Sequence, residues 1–272
     1  MKPAPFDYLR AESIDEALAA LHQNGGDARV LAGGQSLVPM LNMRLTRPSV
    51  LVDIMRIAAL GDITTQRNEL IVGAAVRQAT MQQRLGLAND VPLLAASLPW
   101  VGHWQTRARG TICGSVAHAD PSAEIPLCLT ALGGTIRLRS RRKQRTVPAE
   151  TFFAGTMLID KEDDEMIEAV TFPMRRPNTG YAFAEVGRRH GDFAMVACAA
   201  MVDLARIRLA VGGVADRPTV QTFPLLEGSA LDDALNAFAW ALEARDDLHA
   251  TARYRRDLVR QLGRQVIEAA RP

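Results

Sequence analysis

Ala32-Gly33-Gly34-Gln35-Ser36, directly after the apolar run Arg29-Val30-Leu31, and Thr111-Ile112-Cys113-Gly114-Ser115, which opens into Val116-Ala117-His118-Ala119-Asp120-Pro121, decide the reading of this chain. Glycine lets the backbone take positive φ and turn successive N–H groups to one side, leaving a concavity that a side chain would crowd. A single Gly-Gly pair reads as a tight turn. Two such stretches, each followed by a serine hydroxyl, read as the halves of one site for a dinucleotide diphosphate.

Outward from the first stretch lies a small α/β unit. Ser13 and Glu16 form a capping box, Ile14, Ala17, Leu18 and Leu21 follow the helical period, and Gly25-Gly26 stops the helix. Arg29–Ala32 and Val50–Ile54 read as buried strands, with a helical turn starting at Ser36 between them. From Arg56 a second unit begins, with a strand over Leu70–Val76 and a helix over Thr80–Leu87 opened by a Thr-x-x-Gln cap. An apolar helix over Val91–Trp100 follows, then a helix starting near Ala123 and a hairpin over Thr135–Val147. From about Arg175 the pattern becomes strands at Tyr181–Val186, Ala194–Val202 and Ile207–Val214, then helices at Leu231–Glu243 and Ala252–Ala270. The units are expected to span residues 1–55, 56–175 and 176–272.

Composition sets limits. The chain has 272 residues, 48% of them apolar, enough for a substantial core. A net charge of +2 argues against nucleic acid as the main partner. No apolar run approaches the roughly 20 residues that span a bilayer, and Met1-Lys2-Pro3-Ala4-Pro5 lacks the apolar core of a secretion signal, so the cytoplasm is expected. Cys113, Cys128 and Cys198 form no C-x-x-C pair, and an iron–sulfur cluster normally takes four thiolates, so a cluster is expected only on a partner. Cys113 and His118 lack the neighbouring Cys or His that a zinc site needs.

The two glycine stretches resemble the Ala-Gly-Gly-x-Ser and Thr-x-Gly-Gly-Ser loops of the FAD-binding medium subunit of the molybdenum hydroxylases, the family of carbon monoxide dehydrogenase and the flavin domain of xanthine dehydrogenase. The resemblance continues through Ala117–Pro126, Arg188-Arg189-His190-Gly191-Asp192-Phe193-Ala194 and Gly212–Pro218. It implies an α+β chain with a PCMH-type, vanillyl-alcohol-oxidase-like FAD-binding fold: two α/β subdomains plus a C-terminal α+β domain with a three-stranded antiparallel sheet and helices. It also implies FAD as cofactor. Molybdopterin and [2Fe-2S] clusters would sit only on partners, an iron–sulfur small subunit and a molybdopterin large subunit, in a heterotrimer or its dimer. The chain would pass electrons from the clusters to an external acceptor. A self-sufficient flavin oxidase and a flavin-free assembly module are the alternatives.

Carried over residue by residue, the resemblance gives Gly33, Gly34, Gln35 and Ser36 to the FAD phosphates, with Ala32 and Leu37 shaping that loop. Thr111, Ile112, Gly114 and Ser115 match the second loop. Cys113 stands where the family has its first glycine, so a positive φ there would cost roughly 1 kcal/mol, and Cys113→Gly is expected to preserve or improve FAD retention. His118, Asp120 and Glu124 carry acid–base groups, yet no nucleophile accompanies them. Asp120 and Glu124 are therefore expected to accept hydrogen bonds from loop N–H groups or the cofactor's hydroxyls. Phe193, where other members carry Tyr, would approach the isoalloxazine ring without a hydroxyl. Trp100, Val101 and Trp104 are expected to pack, and the basic run Arg137–Arg145 to be a solvated hairpin tip.

Overall fold

The computed structural model describes residues 2–272. The N-terminal unit is a parallel three-stranded sheet with Val50–Asp53 at its centre, flanked by Asp7–Arg10 and Ala28–Leu31. Parallel neighbours need crossovers. The helix Ile14–Asn24 supplies the first, burying Ala17, Leu18, Ala20 and Leu21. The Ser13 cap is present, with Glu16 N–H donating to Ser13 Oγ at 3.1 Å, while the Glu16 side chain reaches one residue further back, its Oε2 accepting from Glu12 N–H at 2.8 Å. Strand Asp7–Arg10 is an addition to the sequence reading. It is a mostly exposed edge, so it carries no apolar pattern.

The middle unit is a five-stranded antiparallel sheet in the order Ile63–Gln66, Glu69–Gly73, Met166–Pro173, Thr135–Arg139, Gln144–Pro148. The expected hairpin is there. Its basic run, however, is not simply a solvated tip. Arg137 and Arg139 each donate to Glu168 at 2.8 Å, Gln144 adds a third bond at 2.6 Å, Arg145 holds Glu165 and Asp160, and Lys143 meets Glu162 at 2.6 Å. Burial alone would raise the Glu165 and Glu168 carboxyls, but these donors outweigh it and hold both below the ordinary value. The partners lie on the neighbouring central strand and the loop before it, 15 to 31 residues away in sequence, where local pattern cannot reveal them.

Helices bridge the sheet to the next unit. The helix expected at Thr80–Leu87 runs instead over Gln78–Gln82, with Thr80 inside it and no side-chain cap. Its start is fixed by tertiary pairing, since Arg77 bridges Thr111 and Gln78 N–H donates to Gly110 O at 2.8 Å. The Val91–Trp100 stretch is helical over Pro92–Ser97 and closes in a tighter turn over Leu98–Trp100. Trp100 stacks on His190 with centroids 4.7 Å apart, Val101 is buried, and Trp104 is half exposed, so only part of that trio packs inside.

The C-terminal sheet has four strands rather than three: Gly180–Gly187, Ala194–Val202, Arg206–Gly212 and Thr219–Pro224. The fourth is a polar edge strand bracketed by Pro218 and Pro224, which hides it in sequence. Strand Ala194–Val202 is apolar throughout because both faces are covered. Ala197 and Ala199 join the core of the first two units, while Val196, Cys198 and Ala200 meet the helices Gly228–Ala241 and Ala252–Ala269. Among the described residues, no helix is long and apolar enough to cross a membrane.

Candidate functional site

Strand Ala28–Leu31 ends at the first glycine loop, and the helix Leu37–Asn42 begins immediately after it. Gly34 has φ +71°, which L side chains rarely adopt. Gly33 is glycine for a different reason: a Cβ there would run into the Arg109 carbonyl and come within 2.6 Å of the Gly110 α-carbon. The first loop thus lies directly against the residues that lead into the second. Gln35 Nε2 donates to Gly33 O at 3.0 Å, and Ser36 makes no capping bond with its hydroxyl.

The second loop is the start of the helix Ile112–His118. Thr111 is its N-cap, with Oγ1 accepting from Gly114 N–H at 3.0 Å. Ile112 N–H donates to Val76 O at 3.1 Å, pinning the turn to the middle sheet, and the Ile112 side chain is fully buried in the core rather than facing the cleft. Cys113 is helical, with no positive φ, so the expected backbone strain is absent. Its thiol is 3% exposed, lies 3.5 Å from Val72 O, and is pushed up by burial to about 12.

Between the loops a cleft of about 1260 Å³ opens, bounded by all three units. Ala32, Gly33, Gly34, Gln35, Ser36, Leu37, Thr111, Cys113, Gly114, Ser115, His118, Asp120, Glu124 and Phe193 all line it; of the residues that the sequence gives to the cofactor site, Ile112 alone does not. Asp120 Oδ1 accepts from Ser122 N–H at 2.8 Å, closing the turn that sets up the helix Glu124–Leu132. Glu124 is 6% exposed, and burial raises its carboxyl to about 7. Glu185, on the C-terminal sheet, is raised to about 8 by burial and by the Glu124 charge. Phe193 is 70% exposed, so it belongs to the rim of the cleft and not to the core.

Sequence reasoning missed several lining groups. Gln78 is buried with its Oε1 unpartnered, and Lys161 projects from the loop that follows strand Leu158–Ile159. Segment 242–249 also reaches the cleft from the C-terminal unit. None carries a local motif; each arrives through long-range packing. Among the described residues, no group of His, Cys, Asp and Glu is arranged to hold a metal ion.

A long cleft with two glycine-built loops along it suits a dinucleotide, and comparison with known proteins identifies the class. The profile of the FAD binding domain in molybdopterin dehydrogenase matches residues 4–175, and that of the CO dehydrogenase flavoprotein C-terminal domain matches residues 181–270. The chain belongs to this family, the FAD-binding medium subunits of the molybdenum hydroxylases, and is an oxidoreductase subunit.

Among individual relatives, it is 35% identical to the 6-hydroxypseudooxynicotine dehydrogenase complex subunit alpha of Paenarthrobacter nicotinovorans, over 99% of this chain and 96% of that one. A solved carbon monoxide dehydrogenase from Hydrogenophaga pseudoflava superposes with a TM-score of 0.93 at 31% identity, over 99% and 98% of the two chains. Quinoline 2-oxidoreductase from Pseudomonas putida 86 gives a TM-score of 0.92 at 33% identity, with the same coverage. The PCMH-type FAD-binding fold expected from the loops is therefore the fold of this chain. Its cofactor is FAD, and the molybdenum and iron–sulfur cofactors of such complexes belong to partner subunits.

Proposed function

We propose that the cleft holds FAD with its diphosphate between the two glycine loops, and that this chain relays electrons from a partner's iron–sulfur clusters to an external acceptor. The observation that supports the placement is the Gly33 contact: by fitting against Arg109 and Gly110, it sets the first loop beside the start of the second. Backbone N–H groups of Gly33, Gly34 and Gln35, with the hydroxyls of Ser36 and Ser115, serve as donors to the phosphates. Ala32, Leu37 and Thr111 hold the loops in shape. Ile112 and Cys113 act from beneath, as the packed first turn of the second loop's helix. His118, Asp120 and Glu124 face the sugar hydroxyls and the flavin, and Phe193 covers the ring from the rim.

Bound flavin accepts electrons singly and releases them in pairs, joining one-electron carriers to a two-electron acceptor. The chain's own contribution is placement: the two loops fix the cofactor's charged middle, and the C-terminal unit closes one side of the cleft through Phe193 and segment 213–216. Burial raises Glu124 to about 7, so near neutral pH it carries its negative charge only part of the time, which lessens its repulsion of the cofactor's anion. Hydroxylation of the organic substrate falls to the molybdopterin large subunit, with an iron–sulfur small subunit between. The working compartment in this reading is the cytoplasm, and the chain divides at 55/56 and 175/176.

Spectroscopy of the purified chain tests this. Bound FAD that is reduced through the partner complex, and not by a small substrate added directly, supports the relay. Direct reduction by a small substrate would mark a self-sufficient oxidase, and failure to bind FAD after reconstitution would mark a flavin-free module.

A further inference from the structure

The strands Gly180–Gly187 and Ala194–Val202 are joined by the short connection 188–193, which carries Phe193 at the rim of the cleft. Its turn bond, Asp192 N–H to Arg189 O at 3.1 Å, is internal and ties it to nothing outside. Two contacts reach across to the middle unit. The His190 ring stacks on Trp100 with centroids 4.7 Å apart and planes 27° from parallel, the geometry of an attractive aromatic pair. Gly191, at φ +87°, lies so close to the same stretch that a Cβ on it would come within 2.8 Å of Gly102 O and 2.7 Å of His103 Nδ1.

The platform under these contacts is firmly held. Trp100 ends the tight turn Leu98–Trp100, Val101 is buried, and Arg107 Nη1 donates to the carbonyls of Val101 and Gly102, each at 2.9 Å, while its Nε donates to Gln82 Oε1 at 3.0 Å. At the far end of the connection, Ala194 pairs with Gly187 and starts the buried strand. Asp192 and Phe193 are all that separates Gly191 from Ala194, and a span this short, anchored on both sides, has few backbone conformations left. Phe193 is mostly exposed, so its own packing does not hold it. The contacts of its neighbours do.

We propose that Trp100 and His190 are positioning residues for Phe193: their stack, beside the Gly191 contact, clasps the connection to the middle unit and keeps the Phe193 ring over the cleft, where it slows release of FAD. The proposal rests on the reading of Phe193 as the aromatic that covers the cofactor. It goes further in assigning the placement of that ring to two residues from different units, neither of which lines the cleft.

His190 is exposed, so His190→Ala removes the stack without touching the core, and His190→Phe keeps a ring that can stack. Two readouts follow the clasp. In the purified full chain, the exposed Arg188 and Arg189 offer trypsin a cut within the connection, at a rate set by how often it opens. Loss of one aromatic pair is expected to raise that rate about fivefold, with His190→Phe close to the parent. In the FAD-loaded complex, recovery of flavin fluorescence on dilution gives the release rate, expected to rise about fivefold in His190→Ala and to return in His190→Phe. Phe193→Ala should also speed release, and adding His190→Ala to it should speed release no further, because the clasp acts through the ring. Equal acceleration by His190→Ala with and without Phe193 would overturn the proposal, as would a parental cleavage rate in His190→Ala. A parent complex that takes up no FAD overturns the cofactor's placement and this proposal with it, whereas an FAD-binding parent whose release rate ignores His190 overturns this proposal alone.

Discussion

Gly33 and Arg109 touch: the space a side chain would occupy on Gly33 is filled by the Arg109 carbonyl, so two segments far apart in sequence form one wall of the cleft. The contact is backbone on backbone, and neither side can yield by rotating a side chain. Gly33→Ala is therefore expected to push the loops apart, weaken FAD binding at least about tenfold, and lower Tm by a few degrees, as about 1 kcal/mol does for a chain of this size. Calorimetric titration with FAD checks this, and an alanine variant that binds as tightly as the parent would show that the loops are not braced against each other.

Thr111 caps the second loop through its hydroxyl, which accepts from Gly114 N–H at 3.0 Å. Thr111→Ala removes the cap, with an expected cost of about 1 kcal/mol, whereas Thr111→Ser keeps the oxygen and most of the stability. FAD affinity is expected to fall with the alanine and recover with the serine. Chemical denaturation of the three proteins, alongside their flavin content, decides it; equal losses in both variants would assign the effect to packing of the threonine methyl.

Cys113 has no positive φ, which removes the ground on which Cys113→Gly is expected from the sequence to preserve or improve FAD retention. With helical backbone and a buried side chain, it gains nothing from becoming glycine. Cys113→Gly should destabilise the chain by about 1 kcal/mol or more, through helix propensity and the lost side chain, while Cys113→Ala should be milder. Because burial holds the thiol at about 12, a thiol reagent is expected to leave Cys113 unmodified in the folded protein at neutral pH. Rapid labelling without unfolding would contradict the buried placement.

Glu124 and Glu185 give a pH dependence with a definite sign. Burial raises both carboxyls from 4.5, to about 7 and about 8, and the charge of Glu124 adds to the shift at Glu185; Asp120 and Arg107 are the other charges acting on Glu124. Raised folded values mean that their contribution is fully retained below the unfolded pKa. It is lost as pH rises to about 8, because the unfolded carboxyls ionise first. Stability from this pair should fall across roughly pH 5 to 8. Glu185→Gln, which cannot ionise, should flatten that slope and raise Tm at pH 8 by several degrees, on the order expected for a few kcal/mol. Thermal melts across this range are the measurement, and a slope identical to the parent's would rule out a buried, ionisable Glu185.

The parts of this molecule legible in sequence are those written locally. Ser13 and Glu16 announced their helix, the alternating Thr135–Arg139 its hairpin, and the two glycine loops the cleft they line. What escaped was set at a distance. The edge strands Asp7–Arg10 and Thr219–Pro224 show no apolar alternation because solvent covers much of them. Gln78 looks like any polar residue until Gly110 and Thr111 fold against it, and the start of its helix was misplaced because pairing with Thr111, not a local cap, sets it. The arginines of the hairpin are paired by carboxylates on the adjacent strand and loop.

A crystal structure of the chain with FAD tests the placement most directly. The expected result is a diphosphate within hydrogen-bonding distance of N–H groups of Gly33–Ser36 and of the Ser115 hydroxyl, with the isoalloxazine ring toward Phe193. FAD bound with its diphosphate away from either loop, or with the adenine at Phe193, would contradict it.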